Sequence, residues 1–256
     1  MAKEYKKTDS AGLIIGRNPV LEALRFNSKS IEKISILQGL TDKKIKQIEE
    51  EAKQKNITIE FLPKHVFQKL FDDTNKSEGI SQGIIAVTEE FNYSSIDDIL
   101  ADNKPITTLL ILDEIQDPHN LGAIVRTASA AGIEGILITE KNSAKVNHTV
   151  VKTSSGAVNH IKIALIENIY ETIDMLKSKG FVIIGSDNNG KTHLYEFNFP
   201  EKNVIIFGNE GEGIRKNIIK LCDRVINIPI RGKIESLNVS VSAGIILYEL
   251  LRQRNY

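Results

Sequence analysis

Residues 203–240 read NVIIFGNEGEGIRKNIIKLCDRVINIPIRGKIESLNVS. An apolar run at 204–207 stops at Gly208-Asn209-Glu210-Gly211-Glu212-Gly213. A second, at 225–230, stops at Arg231-Gly232 ahead of Ser236-Leu237-Asn238-Val239-Ser240. Twice, a short β-branched strand gives way to a loop of glycine and small polar residues. Open α/β sheets bind ligands at the carboxyl ends of their strands, so two such loops predict a small-molecule site there.

The same alternation extends back to Pro105. Strands are predicted at 109–113, 135–139, 161–164, 181–187, 204–207 and 225–228. Helices are predicted after Asn120, around 146–157, and at 169–179, 214–221 and 238–252. This order implies a mostly parallel sheet covered on both faces. In the last helix Val239, Ala243, Ile246 and Leu250 share one side and should be buried. A smaller α/β unit precedes it at residues 12–88. Its pattern is a helix opened by Asn18-Pro19, a strand at 31–37, a helix from Thr41-Asp42 to Lys55, a strand at 57–61, a helix at 64–71 and a strand at 84–88. The polar residues 89–104, with a short helical pattern at 95–100, read as a linker and residues 1–11 as a disordered tail.

Composition narrows the class. With 41 % apolar and 26 % charged residues, the chain is an ordinary globular protein. Lys+Arg and Asp+Glu balance at 33 each, so no overall basic excess argues for nucleic acid, although a local basic face stays open. No apolar run approaches the roughly 18 residues that span a bilayer, and the N-terminus lacks the apolar core of a secretion signal. The single cysteine, Cys222, excludes an intrachain disulfide, fits a reducing cytosol and reads as buried packing. The histidines show no ligand spacing with cysteines or acids, so no metal is expected; the lack of a spanning run leaves no membrane partner expected either.

Three stretches carry chemistry. Asp117-Pro118-His119-Asn120-Leu121-Gly122-Ala123-Ile124-Val125-Arg126 follows a strand; its small residues suit close helix–sheet packing, which leaves Asn120 and Arg126 unexplained. The 208–213 loop has the glycine order G-x-x-G-x-G, which is not a dinucleotide fingerprint. On a packing reading it is a turn capped by Glu210 or Glu212. Of Ser236, Asn238 and Ser240, one caps the last helix and the others are free to face a ligand.

Together, in this order, the stretches resemble the three motifs of the SpoU (TrmH-like) RNA ribose 2′-O-methyltransferases of the SPOUT superfamily. The first motif is Asn120, Gly122 and Arg126; the second is 206–213; the third is Ile228-Pro229-Ile230 with Ser236-Leu237-Asn238-Val239-Ser240. Residues 12–88 resemble the small L30e-like RNA-binding domain of the branch that modifies ribosomal RNA. One departure is Ser81-Gln82-Gly83, where relatives commonly carry His-Gln-Gly.

The resemblance implies a C-terminal α/β trefoil knot, a homodimer through the knot region, and S-adenosylmethionine as cofactor. It implies cofactor contacts at Gly208, Ile228 and Leu237, with Asn209, Gly211 and Ser186 beside them. It implies Arg126 as the family's proton acceptor or as an electrostatic anchor, and Glu210 orienting Arg126 or the substrate ribose. Asn120, Ser236 and Asn238 would position the RNA and its hydroxyl. The implied substrate is a guanosine of large-subunit ribosomal RNA, free or within an assembly particle. The same chemistry on transfer RNA or on a ribosomal adenosine, and a non-catalytic RNA-binding module, are the alternatives.

Overall fold

A computed structural model describes residues 12–26, 28–74, 82–89, 91–102 and 104–254. The tail expected at 1–11 and Ser81 of the departing tripeptide lie outside these residues. The chain divides into two compact units, one ending at Phe91 and one beginning at Asn92.

The first unit holds β1 (Gly12–Ile15), α1 (Arg17–Phe26), β2 (Ile31–Leu37), α2 (Lys43–Gln54), β3 (Thr58–Leu62), α3 (Lys64–Thr74) and β4 (Ile84–Thr88). The sheet order is β1-β4-β2-β3, with β4 antiparallel to β1 and β2, and β3 parallel to β2. Side chains alternate across a strand, so each strand feeds two cores. Ile14, Ile34, Ile36, Ile84 and Ala86 pack with α1 and α2, whereas Leu13, Leu37 and Ile85 pack with Val66, Phe67 and Leu70 of α3. Sequence reading missed β1, whose apolar core is three residues long. It also placed the start of α1 too late. Gly16, at φ +98, turns out of β1, and its carbonyl accepts the first helical bond from Val20 N at 3.1 Å. Asn18 therefore sits inside the helix and accepts a bond from Lys44 Nζ instead.

The second unit continues with α4 (Ile96–Leu100), β5 (Thr107–Leu112), α5 (Pro118–Ala130), β6 (Gly135–Thr139), α6 (His148–Thr153), β7 (Lys162–Ile166), α7 (Ile169–Ser178), β8 (Val182–Ser186), β9 (Thr192–His193), β10 (Lys202–Phe207), α8 (Lys216–Ile219), β11 (Arg224–Asn227) and α9 (Val239–Gln253). Its seven strands are all parallel, in the order β7-β6-β5-β10-β8-β11-β9. One face carries a core of Leu109, Ile111, Leu137, Val204 and Ile206 closed by Ile173 and Leu176 of α7 and Ile218 of α8. On the other side α5 packs between α6 and α9. Val239, Ala243, Ile246 and Leu250 of α9 are buried, as their spacing predicts.

From Asn92 on, the described part of the expected linker belongs to this unit. Ser95 and Asp98 form a reciprocal capping box that starts α4. Ile99 is 4 % exposed and lies over Gly135, where a Cβ would come within 2.5 Å of its Cγ2. Ser94 N donates to Ile163 O, and Val146 N to the Tyr93 hydroxyl. Two expected helices are shorter than their patterns. Ser155 (φ +53) and Gly156 (φ +81) stop α6 before Ala157. At the start of α8, Arg215 is held extended by an ion pair described below.

Candidate active site

From β5 the chain steps outward through β6 to β7, then returns so that β10 lies against β5. The order reverses between these two strands, which places a crevice beyond their carboxyl ends. Of the loops at this end of the sheet, four follow β5 and strands on its β10 side: 113–117 after β5, 187–191 after β8, 208–215 after β10 and 228–238 after β11. The opposite, amino end has a cavity of about 560 Å³ lined by Lys104, Lys162, Lys179 and Lys202. There the C-termini of α4, α5 and α7 converge, and lysines offset the negative ends of helices. Lys162 Nζ is tied to Asp98 O, and Lys202 lies over the Phe181 ring. The carboxyl end is the better candidate.

At that end α5 starts cleanly. Asp117 caps it by accepting from His119 N, and Pro118 occupies its first turn, where no donor is needed. This sets Asn120 facing the neighbouring loop at 8 % exposure. Asn120 Nδ2 donates to Glu210 Oε1 at 2.7 Å, and Asn238 Nδ2 donates to Asn120 Oδ1 at 3.0 Å. Asn238 is also the cap of α9: its Oδ1 accepts from Ser240 N at 2.9 Å and from Ser240 Oγ at 2.6 Å. One constraint orients the whole chain. The amide N–H of Ser240 needs an oxygen, so the Asn238 nitrogen must face Asn120, whose own nitrogen then meets the carboxylate. Residues 90 and 118 positions apart are thereby locked into one row.

The 208–213 turn is closed by Asn209 rather than by either glutamate. Asn209 Oδ1 accepts from Gly211 N (2.7 Å) and Glu212 N (2.9 Å), and Asn209 pairs with Gly213 through two backbone bonds. This frees Glu210 to reach Asn120, and the side chain of Asn209 is committed to the turn. Gly208 is required because the loop folds back on itself: a Cβ there would lie 2.0 Å from Gly213 C. The loop after β8 joins the same cluster, with Asn188 Nδ2 on Glu235 O (2.6 Å) and Asp187 N on Ile226 O. Ser186, Ile228 and Leu237 are half-buried around it.

Arg126 and Ser236 stand apart from the row. Both are exposed, and their side chains make no hydrogen bond or ion pair to any described residue. Arg126 lies six residues beyond Asn120, roughly 9 Å along the helix and about 120° around it. Of the two roles expected for Glu210, orienting Arg126 is not seen; its bonded oxygen is taken by Asn120. The largest charged contact was missed altogether. Arg215 grips the fully buried Asp113 carboxylate with Nε (3.1 Å) and Nη2 (2.5 Å), and its Nη1 meets Glu114 at 3.0 Å. Asp113 raises the Arg215 pKa above its ordinary value. Only the apolar-to-acidic switch at Leu112-Asp113 hinted at it.

Cys222 is half-buried rather than fully buried as expected, and its surroundings keep the thiol protonated. Its Sγ lies beside Ile218 O and the Gly185 backbone, and burial, with Asp223 adding, pushes the thiol up to about 12. Thiolate is then only about one part in ten thousand at pH 8, so the folded protein should resist iodoacetamide there and react fully in denaturant. Mass spectrometry of the labelled chain reads this, and rapid labelling of the native protein would contradict the packing.

Residues 107–248 match the SpoU rRNA methylase family, and residues 13–94 match the RNA 2′-O ribose methyltransferase substrate-binding family. The chain belongs to the SpoU rRNA methylase family. A Staphylococcus saprophyticus protein named for the TrmH family of tRNA/rRNA methyltransferases is 35 % identical over 247 residues, covering 95 % of this chain and 96 % of its own. The fold is shared with the SpoU methyltransferase AviRb of Streptomyces viridochromogenes in complex with AdoMet. That likeness has TM-score 0.64 and 22 % identity over 99 % of this chain and 94 % of that one. A tRNA-modifying TrmH/SpoU enzyme of A. aeolicus matches 58 % of this chain and 75 % of its own, at TM-score 0.54 and 32 % identity. The SpoU match spans α5, the 208–213 turn and the start of α9, the three elements that supply the Asn120 row. The chain is accordingly an RNA methyltransferase of the SpoU family, whose methyl donor is S-adenosylmethionine.

Proposed function

We propose that this chain transfers a methyl group from S-adenosylmethionine to a ribose 2′-hydroxyl of RNA, at a guanosine of large-subunit ribosomal RNA. The observation that carries this reading is the first unit. It is folded, with its own two-sided core, and residues 13–94 match a family described as substrate-binding for RNA 2′-O ribose methyltransferases. The printed names of the relatives include both tRNA and rRNA, so the same chemistry on transfer RNA is the second reading.

The residues at the carboxyl end fit the cofactor. Loops after three adjacent strands present backbone groups around half-buried Ile228 and Leu237, and the self-packed Gly208 keeps the second loop low. When bound, the cofactor supplies a methyl group already activated on a sulfonium. Gly208, Asn209, Gly211, Ile228, Leu237 and Ser186 would hold it. Placement can then contribute roughly 7–11 kcal/mol of the barrier. Glu210, steadied by Asn120 through one oxygen, presents the other toward the ribose. Asn238 holds Asn120, and Ser236 meets the RNA. Arg126 grips the neighbouring phosphate and stabilises the developing alkoxide, while the 2′-hydroxyl proton passes to the Glu210 oxygen that faces it; a guanidinium keeps its proton in proteins, so Arg126 serves as an anchor and not as a base.

We further propose that the last segment is threaded as a trefoil knot, that two chains pair through this region, and that the enzyme works in the cytoplasm. Val241 (49 %) and Tyr248 (53 %), exposed on α9, support a pairing surface. The test is labelled methyl transfer to ribosomal and transfer RNA, with nucleoside analysis of the product. Label in 2′-O-methylguanosine of large-subunit RNA is the expected result. Label in transfer RNA overturns the substrate, and base methylation overturns the 2′-hydroxyl.

A further inference from the structure

The structure assigns to Arg215 the role of positioning residue for the cofactor loop: its fork on Asp113 and Glu114 sets the 208–213 turn against the end of β5. The turn has few holds of its own. Asn209 closes it internally, and Glu210 reaches out of it through a single bond to Asn120. Past Gly213 the chain is anchored by the apolar side chain of Ile214, 3 % exposed in the core with Ile218, ahead of a helix of only four residues. Arg215 adds three polar contacts, which fix direction where the apolar anchor does not. Two are the paired bonds to Asp113, whose side chain is fully buried at the last step of β5 and whose own N–H continues the ladder to Phe207 O at 2.8 Å. The third is Nη1 on Glu114, itself fixed in a left-handed conformation (φ +59) by its N–H on Thr139 Oγ1.

The grip is directional. A carboxylate that accepts two parallel N–H bonds fixes the guanidinium plane, and a lysine at this position would keep the charge without the plane. Asp113 opens the short connection that leads into α5, which carries Asn120, so the fork also sets how far Glu210 stands from Asn120. Rotation of the 208–215 segment by even an ångström would break a 2.7 Å bond at its far end.

This inference rests on the reading that the 208–213 turn seats S-adenosylmethionine. The test uses the full chain, S-adenosylmethionine titrated by calorimetry, and hydrogen exchange at the Gly211 and Glu212 amides. Arg215→Lys should weaken cofactor binding about tenfold or more, as loss of a second-layer support does elsewhere. Exchange should speed at Gly211 and Glu212 and stay unchanged along β10. Wild-type affinity in Arg215→Lys would overturn the role. So would faster exchange spread evenly over the sheet, which marks a merely structural ion pair. If Arg215→Lys does not fold, Glu114→Gln, which removes only the outer contact, should show the same local pattern at smaller size; no change in it overturns the role equally. A wild-type chain that binds no S-adenosylmethionine would instead overturn the seat itself.

Discussion

Arg126→Ala should lower the rate of methyl transfer at saturating cofactor and RNA by about 10²–10³-fold, the usual loss when one donor to a developing oxyanion is removed. The thermal midpoint should hardly move, because the Arg126 side chain is exposed and bonded to no described residue. Affinity for S-adenosylmethionine should also be kept, since Arg126 lies on α5 outside the row that joins Glu210, Asn120 and Asn238. Arg126→Lys separates charge from geometry: it preserves the cation and loses the fork that fits phosphate. A rate midway between wild type and alanine is expected. Single-turnover transfer with the RNA identified by the labelling experiment measures both variants. A lysine variant at full rate would show that charge alone suffices, and an alanine variant at full rate would remove Arg126 from the site.

The parts of this molecule that sequence conveys well are those encoded within a few residues. β2, β4 and β6 occupy the residues their β-branched runs predict, because turn residues bracket each run. The caps Asp42 and Asn238 do what short polar side chains do ahead of an apolar periodic segment. What sequence hides is pairing at a distance. Asp113 and Arg215 are 102 residues apart; the switch from apolar to acidic at Leu112-Asp113 marks one end, and nothing local marks Arg215 as its partner. The motif resemblance named Asn120, Glu210 and Asn238, yet gave no sign that they bond to one another or in which order. The turn illustrates the reverse error. Two glutamates between three glycines suggest acidic caps, but the shortest polar side chain, Asn209, reaches the amides, leaving Glu210 available for longer-range work. Likewise the helical pattern at 95–100 is legible and α4 forms there, but with Ile99 as its one buried residue it shows no apolar face, so the stretch reads as linker although residues 92–102 pack on the second unit.

Gly208→Ala should abolish measurable methyl transfer and weaken S-adenosylmethionine binding roughly a hundredfold or more, the scale on which ångström misplacements act. A Cβ at this position would stand 2.0 Å from Gly213 C, 2.1 Å from Ile214 N and 2.2 Å from Gly213 O. All three are backbone atoms, so no side chain can rotate away and the turn itself must open. Opening separates Asn209 from Gly213, and with it moves the one bond that Glu210 makes to Asn120. The strand beneath should survive, because Val204, Ile205, Ile206 and Phe207 are buried between β5 and β8. The stability loss is therefore expected to stay near the 1–3 kcal/mol of ordinary overpacking, about what a folded but inactive enzyme can tolerate. Gly211→Ala separates crowding from contact, because Gly211 is itself among the proposed cofactor contacts. Its Cβ would meet only Asn209 Oδ1, at an ordinary 3.6 Å, and its φ is not in the left-handed region. If calorimetry finds Gly208→Ala binding the cofactor as wild type does, the turn is not its seat. If Gly211→Ala loses binding as fully as Gly208→Ala, crowding at Gly208 is not what decides the matter, and direct contact at the tip of the turn is.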